Sequence, residues 1–307
     1  MPPPSGRVTD RFAAGPSESA KAEEAVESDS EAHLNSSGRL SASGLYRGLR
    51  DTLLAPLYDI YARRLWQQVL RSPVPRHLAL ILDGNRRFAA RSGMTTWRDG
   101  YVAGARKVDD VIRWGERAGI EVVTLWALSI DNLGRPQDQS AELHTVIEEK
   151  IRQLIPTAVA MGWRLRGMGS RQLMPPSLLE AIEQAEAKTA GCGPFTVQFA
   201  VAYGGREEIL DALRRWAQDP RFAGRSVAEV LAELSAGDLA DYLYSKDVPE
   251  PELILRTSGE LRLSGFLLWQ SVYSEFYFTD VLWPEFREVD FLRALRDFQG
   301  RKQRFGL

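Results

Sequence analysis

The chain is 307 residues long, 44 % hydrophobic and 26 % charged, with a formal net charge of -2. This is ordinary globular composition, enough for one large domain or two small ones, and the balanced charge argues against a nucleic-acid partner. A single cysteine, Cys192, excludes an intrachain disulfide and a cysteine-based metal site, and the three histidines, His33, His77 and His144, lack the spacing of a zinc site.

Residues 1–43 are rich in Pro, Ser, Ala, Glu and Gly with almost no large apolar side chains, and read as a disordered tail. Residues 44–72 differ. Leu45, Leu49, Leu53, Leu57, Ile60, Tyr61, Leu65 and Val69 recur at helical spacing, and Pro56 is expected to kink or divide that helix. Its apolar face reads first as docked on the domain that follows, residues 73–307. The mixture of aromatic and basic residues over 45–70 is the second reading, a peripheral membrane contact. No apolar run reaches membrane-spanning length and no signal-peptide core opens the chain, so the expected location is the cytoplasm, with membrane association through that helix as the variant.

From His77 onward apolar strands and amphipathic helices alternate, which predicts an α/β fold: a single domain with a mainly parallel central sheet flanked by helices. Leu78 to Leu82 is an unbroken apolar run, the pattern of a strand buried on both faces. Asp83-Gly84-Asn85 turns the chain, and Arg86 to Ser92 is a short helix that Gly93 terminates. Further elements follow: a helix from Tyr101 to Ala118 ended by Gly119, a strand from Val122 to Leu128, and a polar turn from Ser129 to Pro136. A long helix spans Ala141 to Met161 across Pro156. Strands are expected at Trp163–Met168 and Phe195–Tyr203 with a helix (Leu178–Ala190) between them. Gly204-Gly205-Arg206 then leads into a helix over Glu207–Gln218. Leu253–Leu255 is a short strand running into Arg256-Thr-Ser-Gly-Glu-Leu-Arg262-Leu-Ser264. Residues 265–307 are aromatic-rich and end in a basic segment.

Four expected strands thus end in polar clusters: Asp83/Asn85, Ser129/Asp131/Asn132, Gly204/Gly205/Arg206 and Arg256/Arg262/Ser264. In open α/β sheets ligands bind beyond the carboxyl ends of the strands, so these clusters are expected to share one crevice. A strand entering a helix through a Gly turn offers amides to an anion, and Arg86, Arg87 and Arg91 add guanidinium groups. Asp83 beside them fits a diphosphate shared with Mg²⁺; the plain alternative is a βα turn with a surface acid. There is no Walker-type lysine and no Gly-x-Gly-x-x-Gly after the first strand, so a nucleotide cofactor is not indicated.

Asp83-Gly-Asn-Arg-Arg-Phe-Ala, Ser129-Ile-Asp-Asn-Leu-Gly-Arg, Tyr203-Gly-Gly-Arg206, Arg256-Thr-Ser-Gly-Glu-Leu-Arg-Leu-Ser-Gly-Phe-Leu-Leu-Trp-Gln270 and Phe276-Tyr-Phe-Thr-Asp-Val-Leu-Trp-Pro284 resemble, in order, the motifs of the cis-prenyltransferases, the undecaprenyl diphosphate synthase family. The resemblance runs from about residue 74 to the C-terminus. It implies a homodimeric enzyme that condenses isopentenyl diphosphate with an allylic diphosphate and makes each new double bond cis. By the same resemblance Asp83 binds Mg²⁺, and Gly84, Asn85, Arg86 and Arg87 cradle the allylic diphosphate beside Phe88. Asn132 matches the position proposed to take the proton, near Ser129 and Asp131, and Arg135 belongs to the same loop. Arg256, Arg262 and Ser264 match the isopentenyl diphosphate site, Glu275 a second Mg²⁺-associated acid, and Arg304 and Gly306 a C-terminal element that reaches toward the partner subunit.

Departures from the family pattern narrow the reading. Arg86 replaces the usual Gly, Phe88 the usual Trp, Asp131 the usual Glu, Leu133 the usual Trp, and Tyr101 the usual His. The loop between Gly93 and Gly100 is one residue longer, with Arg98 the substitute for a family arginine. These changes resemble an actinobacterial short-chain branch that makes Z-farnesyl diphosphate from geranyl diphosphate. A long polyprenyl product for cell-wall lipid carriers is the alternative. A catalytically dead partner subunit and a cyclising relative are more remote. Product length would follow from an apolar tunnel between the strand ending at Leu128 and the helices 101–118 and 141–161, with Leu128 and Leu133 as its expected floor.

Overall fold

A computed structural model describes residues 58–134 and 137–301. The expected tail, the first part of the N-terminal helix, Arg135, Arg304 and Gly306 lie outside the described residues.

The inner strands of the sheet are short and largely apolar because both faces are covered. β1 (His77–Ile81) and β4 (Thr196–Ala200) are buried at every position. β2 spans Val122–Trp126, β3 Arg164–Met168, β5 Leu253–Arg256 and β6 Glu275–Phe278. The order is β3-β4-β2-β1-β5-β6, and every pairing is parallel. Side-chain alternation splits the sheet into two faces. Leu78, Leu80, Val123, Leu125, Val197 and Phe199 join the larger core. Ala79, Ile81, Ala200 and Ile254 pack instead against Tyr203, Phe266 and Leu267.

Helices cover the larger face. Residues 58–69 form the helix α1, whose Leu65, Trp66 and Val69 are buried in that core. The short α2 (Asn85–Arg91) and the long α3 (Trp97–Ala118) follow β1. α3 starts one turn before the expected Tyr101 because Thr96 caps it, accepting from the Asp99 N–H at 3.3 Å. Gly119, in the left-handed region at φ 84°, ends it as expected. α4 (Ile130–Leu133) is a single turn, and α5 (Gln137–Met161) runs on through Pro156. α6 (Pro176–Lys188), α7 (Gly205–Ala217), α8 (Val227–Ala232), α9 (Ala236–Ala240) and α10 (Glu288–Gly300) complete the chain. Among the described residues no helix is long and apolar enough to cross a membrane.

β6 and α10 were not anticipated from sequence. β6 is an edge strand whose four residues are all half-buried, so no alternation marks it. The expected β2 and β4 are trimmed at their carboxyl ends, where the chain leaves the sheet to build the site.

Candidate active site

The carboxyl ends of β1, β2 and β5 open on one polar pocket. Asp83, Gly84, Asn85, Arg86, Arg87, Ser129, Asp131, Asn132, Arg256, Arg262, Ser264 and Tyr101 all line it. Gly204, Gly205 and Arg206 line an adjoining pocket that shares Ser129, Asp131 and Ser264 with the first. The four polar clusters therefore converge on neighbouring cavities at the carboxyl end of the sheet.

Local sequence fixes each group. The Asp83 N–H donates to Thr257 Oγ1 at 3.0 Å, and the Thr257 hydroxyl donates to the Asp83 carbonyl at 2.7 Å, so β1 and β5 pin each other beyond their last paired residues. Gly84 sits at φ 107°, and a Cβ there would come within 2.9 Å of Leu282 Cδ2. Asn85 opens α2, its Nδ2 donating to the Leu82 carbonyl at 3.2 Å while its buried Oδ1 has no partner. That oxygen lies where a Cβ on Gly104 would be, at 2.1 Å, so α3 reaches the site only because Gly104 has no side chain. Ser129 caps α4, accepting from the Asn132 N–H at 3.2 Å, which holds Asn132 at the rim.

Four guanidinium groups face the pocket in different states. Arg256 is the buried one: its Nη2 donates to Asp83 Oδ2 at 2.9 Å and its Nη1 to Ser264 Oγ at 3.0 Å and to the Arg262 carbonyl. Arg87 donates to Ser258 Oγ at 2.5 Å and lies 3.8 Å from both Asp83 and Glu260. Arg262 pairs with Glu260, and Arg86 stacks 5.0 Å over the Trp97 ring. Burial pushes the Asp83 carboxyl up, but the hydrogen bonds from Arg256 and Ser258 and the charges of Arg256 and Arg87 outweigh it and hold it below the usual carboxylate range. Ser258 (φ 79°) and Ser264 (φ 51°) occupy the left-handed region, so this loop is held in strained backbone by the contacts around it.

An apolar cavity opens from the polar pocket between the sheet and helices α3 and α5. The two share Leu82, Asn85, Tyr101, Ala127 and Leu143. Deeper in, Val108, Leu125, Ile147, Ile151 and Phe199 line it. The place matches expectation and the floor does not. Leu128 and Leu133 line neither cavity; Leu128 is buried in the core and Leu133 is partly buried against it.

Other expected residues also stand apart. Arg98 holds both Glu149 carboxylate oxygens at 3.2 Å, tying α3 to α5 rather than facing the pocket. Phe88 lines neither cavity. Glu275 does not meet Asp83 in this chain: β6 runs parallel to β5 with Glu275 opposite Leu253 and Phe278 opposite Arg256, so Glu275 begins the strand at the end away from the site and pairs with Arg301 at 2.9 Å. Sequence reasoning missed Trp126, which lines both polar pockets and stacks on Phe266 at 4.9 Å, and Leu143 at the junction of polar and apolar cavities. An aromatic residue at the carboxyl end of a buried strand was the available signal for Trp126.

The donor set suits a Mg²⁺ ion held through substrate. Among the described residues no three acidic or histidine groups form a metal cage, while Asp83 presents an ionised, partly exposed carboxylate within a ring of arginines. One carboxylate completed by phosphate oxygens and water is the usual coordination of Mg²⁺.

Residues 81–306 match the sequence profile of the family described as "Putative undecaprenyl diphosphate synthase". The chain is 44 % identical over 254 residues to the (2Z,6E)-farnesyl diphosphate synthase of Thermobifida fusca, covering 83 % of this chain and 98 % of that one. It is equally 44 % identical over 255 residues to the tritrans,polycis-undecaprenyl-diphosphate synthase (geranylgeranyl-diphosphate specific) of Methanopyrus kandleri, covering 82 % and 92 %. The crystal structure of lavandulyl diphosphate synthase from Lavandula x intermedia, in complex with dimethylallyl diphosphate, superposes with a TM-score of 0.69 at 31 % identity, over 76 % of this chain and 99 % of that one.

Proposed function

This chain belongs to the undecaprenyl diphosphate synthase family and is a cis-prenyltransferase, and from that premise we propose that it condenses isopentenyl diphosphate with geranyl diphosphate to a short Z-prenyl diphosphate such as (2Z,6E)-farnesyl diphosphate. One observation carries the reading: a pocket walled by arginines and Asp83 opens directly into an apolar cavity of limited size. The cavity's deeper lining, Val108, Leu125, Ile151 and Phe199, is buried core, and that closed inner end supports a short chain over a C50 or C55 one.

In this reading Gly84, Asn85, Arg86, Arg87 and the amides opening α2 hold the allylic diphosphate, and Arg256, Arg262 and Ser264 hold the isopentenyl diphosphate. Asp83 would hold Mg²⁺ together with diphosphate oxygens, and the ion would neutralise charge on the leaving group. The arginines stabilise the same charge from the protein side as the allylic C–O bond breaks. The new bond joins the allylic C1 to C4 of isopentenyl diphosphate, and the proton lost from C2 departs toward Asn132. Tyr101, Leu143 and the cavity behind them keep water from the cation. The reading includes a homodimer. Val272 and Tyr273, exposed at 70 % and 65 % just before β6, support it as apolar surface beside that edge strand.

The test is a product assay with Mg²⁺, labelled isopentenyl diphosphate and dimethylallyl, geranyl or E,E-farnesyl diphosphate offered separately. A C15 product from geranyl diphosphate without elongation of farnesyl diphosphate is expected. A ladder to C50 or beyond would move the enzyme to the long-chain activity of relatives such as that of M. kandleri. No turnover with any primer would put a non-catalytic subunit first.

A further inference from the structure

Among the residues lining the apolar cavity a single one is charged, Lys150 of α5. Its side chain is only 11 % exposed, and its Nζ donates to Asp109 Oδ2 of α3 at 2.8 Å. On α3 the pair lies one residue past Val108, and on α5 one residue before Ile151, both of which line the inner end of the cavity. The aliphatic stem of Lys150 therefore forms part of the apolar wall while its head is anchored across to the neighbouring helix.

A chain growing into this cavity has two directions in which to continue. Along the sheet, Val123 and Val197 stand two residues before Leu125 and Phe199 on the same face, fully buried, and Ile112 fills the next turn of α3; this way is closed by core packing. Sideways, between α3 and α5, the wall is Val146, Ile147 and Ile151 together with Lys150, whose ion pair to Asp109 crosses to the other helix at the inner end. Displacing that pair with hydrocarbon would take the Lys150 ammonium, on a side chain 11 % exposed, from its partner, while Asp109, 34 % exposed, keeps its water; the cost falls on the lysine.

We propose that the Lys150–Asp109 pair is a length stop, a strap between two helices that limits how many five-carbon units the product acquires. This rests on the reading above that the cavity receives the prenyl chain. Its position fits a short product. From Tyr101 to Val108, and from Leu143 to Lys150, the cavity follows seven residues of helix, roughly 10 Å at ~1.5 Å per residue. Two extended five-carbon units, each about 5 Å along four C–C bonds, fill that depth. A third unit spans the gap from the cavity mouth to the diphosphate.

The experiment compares full-length wild type with Lys150→Ala, Lys150→Met and Asp109→Asn, using geranyl diphosphate and an excess of labelled isopentenyl diphosphate. Products are dephosphorylated and sized by reversed-phase chromatography. Wild type is expected to stop at C15. Lys150→Ala, which removes stem and anchor, shifts most product to C20 and longer. Lys150→Met keeps the stem without the charge, and Asp109→Asn keeps the lysine without its ionic anchor; both give smaller shifts in the same direction and guard against a folding defect in the alanine variant. Folded variants that retain the wild-type product length overturn the stop while leaving the function standing. A wild-type ladder of long products also overturns the stop. Absence of any product from wild type overturns the function itself, and this inference with it.

Discussion

The Asp83 carboxylate accepts from the Arg256 guanidinium at 2.9 Å, and the Arg256 side chain is only 6 % exposed. The carboxylate therefore anchors a buried cation as well as presenting charge to the pocket. Asp83→Ala is expected to lower turnover by at least ~10²-fold, since it removes the carboxylate that would hold the Mg²⁺ neutralising the leaving group. Asp83→Asn retains an acceptor for Arg256 and should melt close to wild type while losing similar activity. Near-wild-type turnover in either variant refutes the role given to Asp83.

Arg262 differs in being exposed, its side chain at 66 %, with Glu260 as its partner. Arg262→Ala should leave the melting temperature unchanged and raise KM for isopentenyl diphosphate by roughly 10-fold, the loss of one charge-assisted contact. The KM for geranyl diphosphate should move far less. Equal shifts in both constants would show that the two diphosphates are not divided between Arg86/Arg87 and Arg256/Arg262 as proposed.

A methyl group on Gly104 would meet Asn85 Oδ1 at 2.1 Å and Trp283 Cδ1 at 2.9 Å. Overpacking of this kind costs ~1–3 kcal/mol, but the Asn85 amide is the softer neighbour and should be displaced first. Gly104→Ala is therefore expected to reduce turnover more than stability. Measuring kcat beside a thermal melt decides it; unchanged kcat with a large loss of stability would mean that Trp283 yields instead.

His77 is buried at the start of β1, its Nδ1–H donating to the Pro249 carbonyl at 2.7 Å and its Nε2 2.7 Å from Thr124 Oγ1. Burial holds its pKa down at about 4, against an ordinary value near 6.5, although the Pro249 contact pulls it upward. Between pH 6.5 and 4 the unfolded chain gains a proton that the folded protein refuses, so stability falls as pH drops through that window, by about 3 kcal/mol in all. Chemical denaturation at pH 7, 6, 5 and 4 should show this slope, and His77→Asn should flatten it. A slope that persists in the variant would assign the effect to other groups.

How much of this was legible in sequence depended on how local the cause was. The run Leu78–Leu82, the Asp83-Gly84 turn and the Gly119 stop are local signals, and each element lies within a few residues of its expected place. The convergence of four strand-end clusters followed from topology and also held. What escaped was decided by distant partners. Arg98 is an arginine near a diphosphate loop in sequence, yet Glu149, 51 residues away, draws it to another helix. Glu275 appears in a motif beside site residues, but strand register puts it at the far end of β6. The deeper lining of the cavity includes Leu125 and Phe199, adjacent in the sheet but remote in the chain, and no helical or strand period singles them out.

The apolar cavity has no wall of its own. Val108, Leu125, Ile151 and Phe199 face it and belong at the same time to the core that holds the sheet against α3 and α5. Truncating any of them to make room for a longer chain removes core contacts at ~2–5 kcal/mol, a large part of the 5–15 kcal/mol that keeps a domain folded. Drift in product size is therefore coupled to thermal tolerance: a lineage that deepens the cavity through these four residues must acquire compensating stability elsewhere. Lys150, at the margin of that core, is the position where specificity can change with the least such burden.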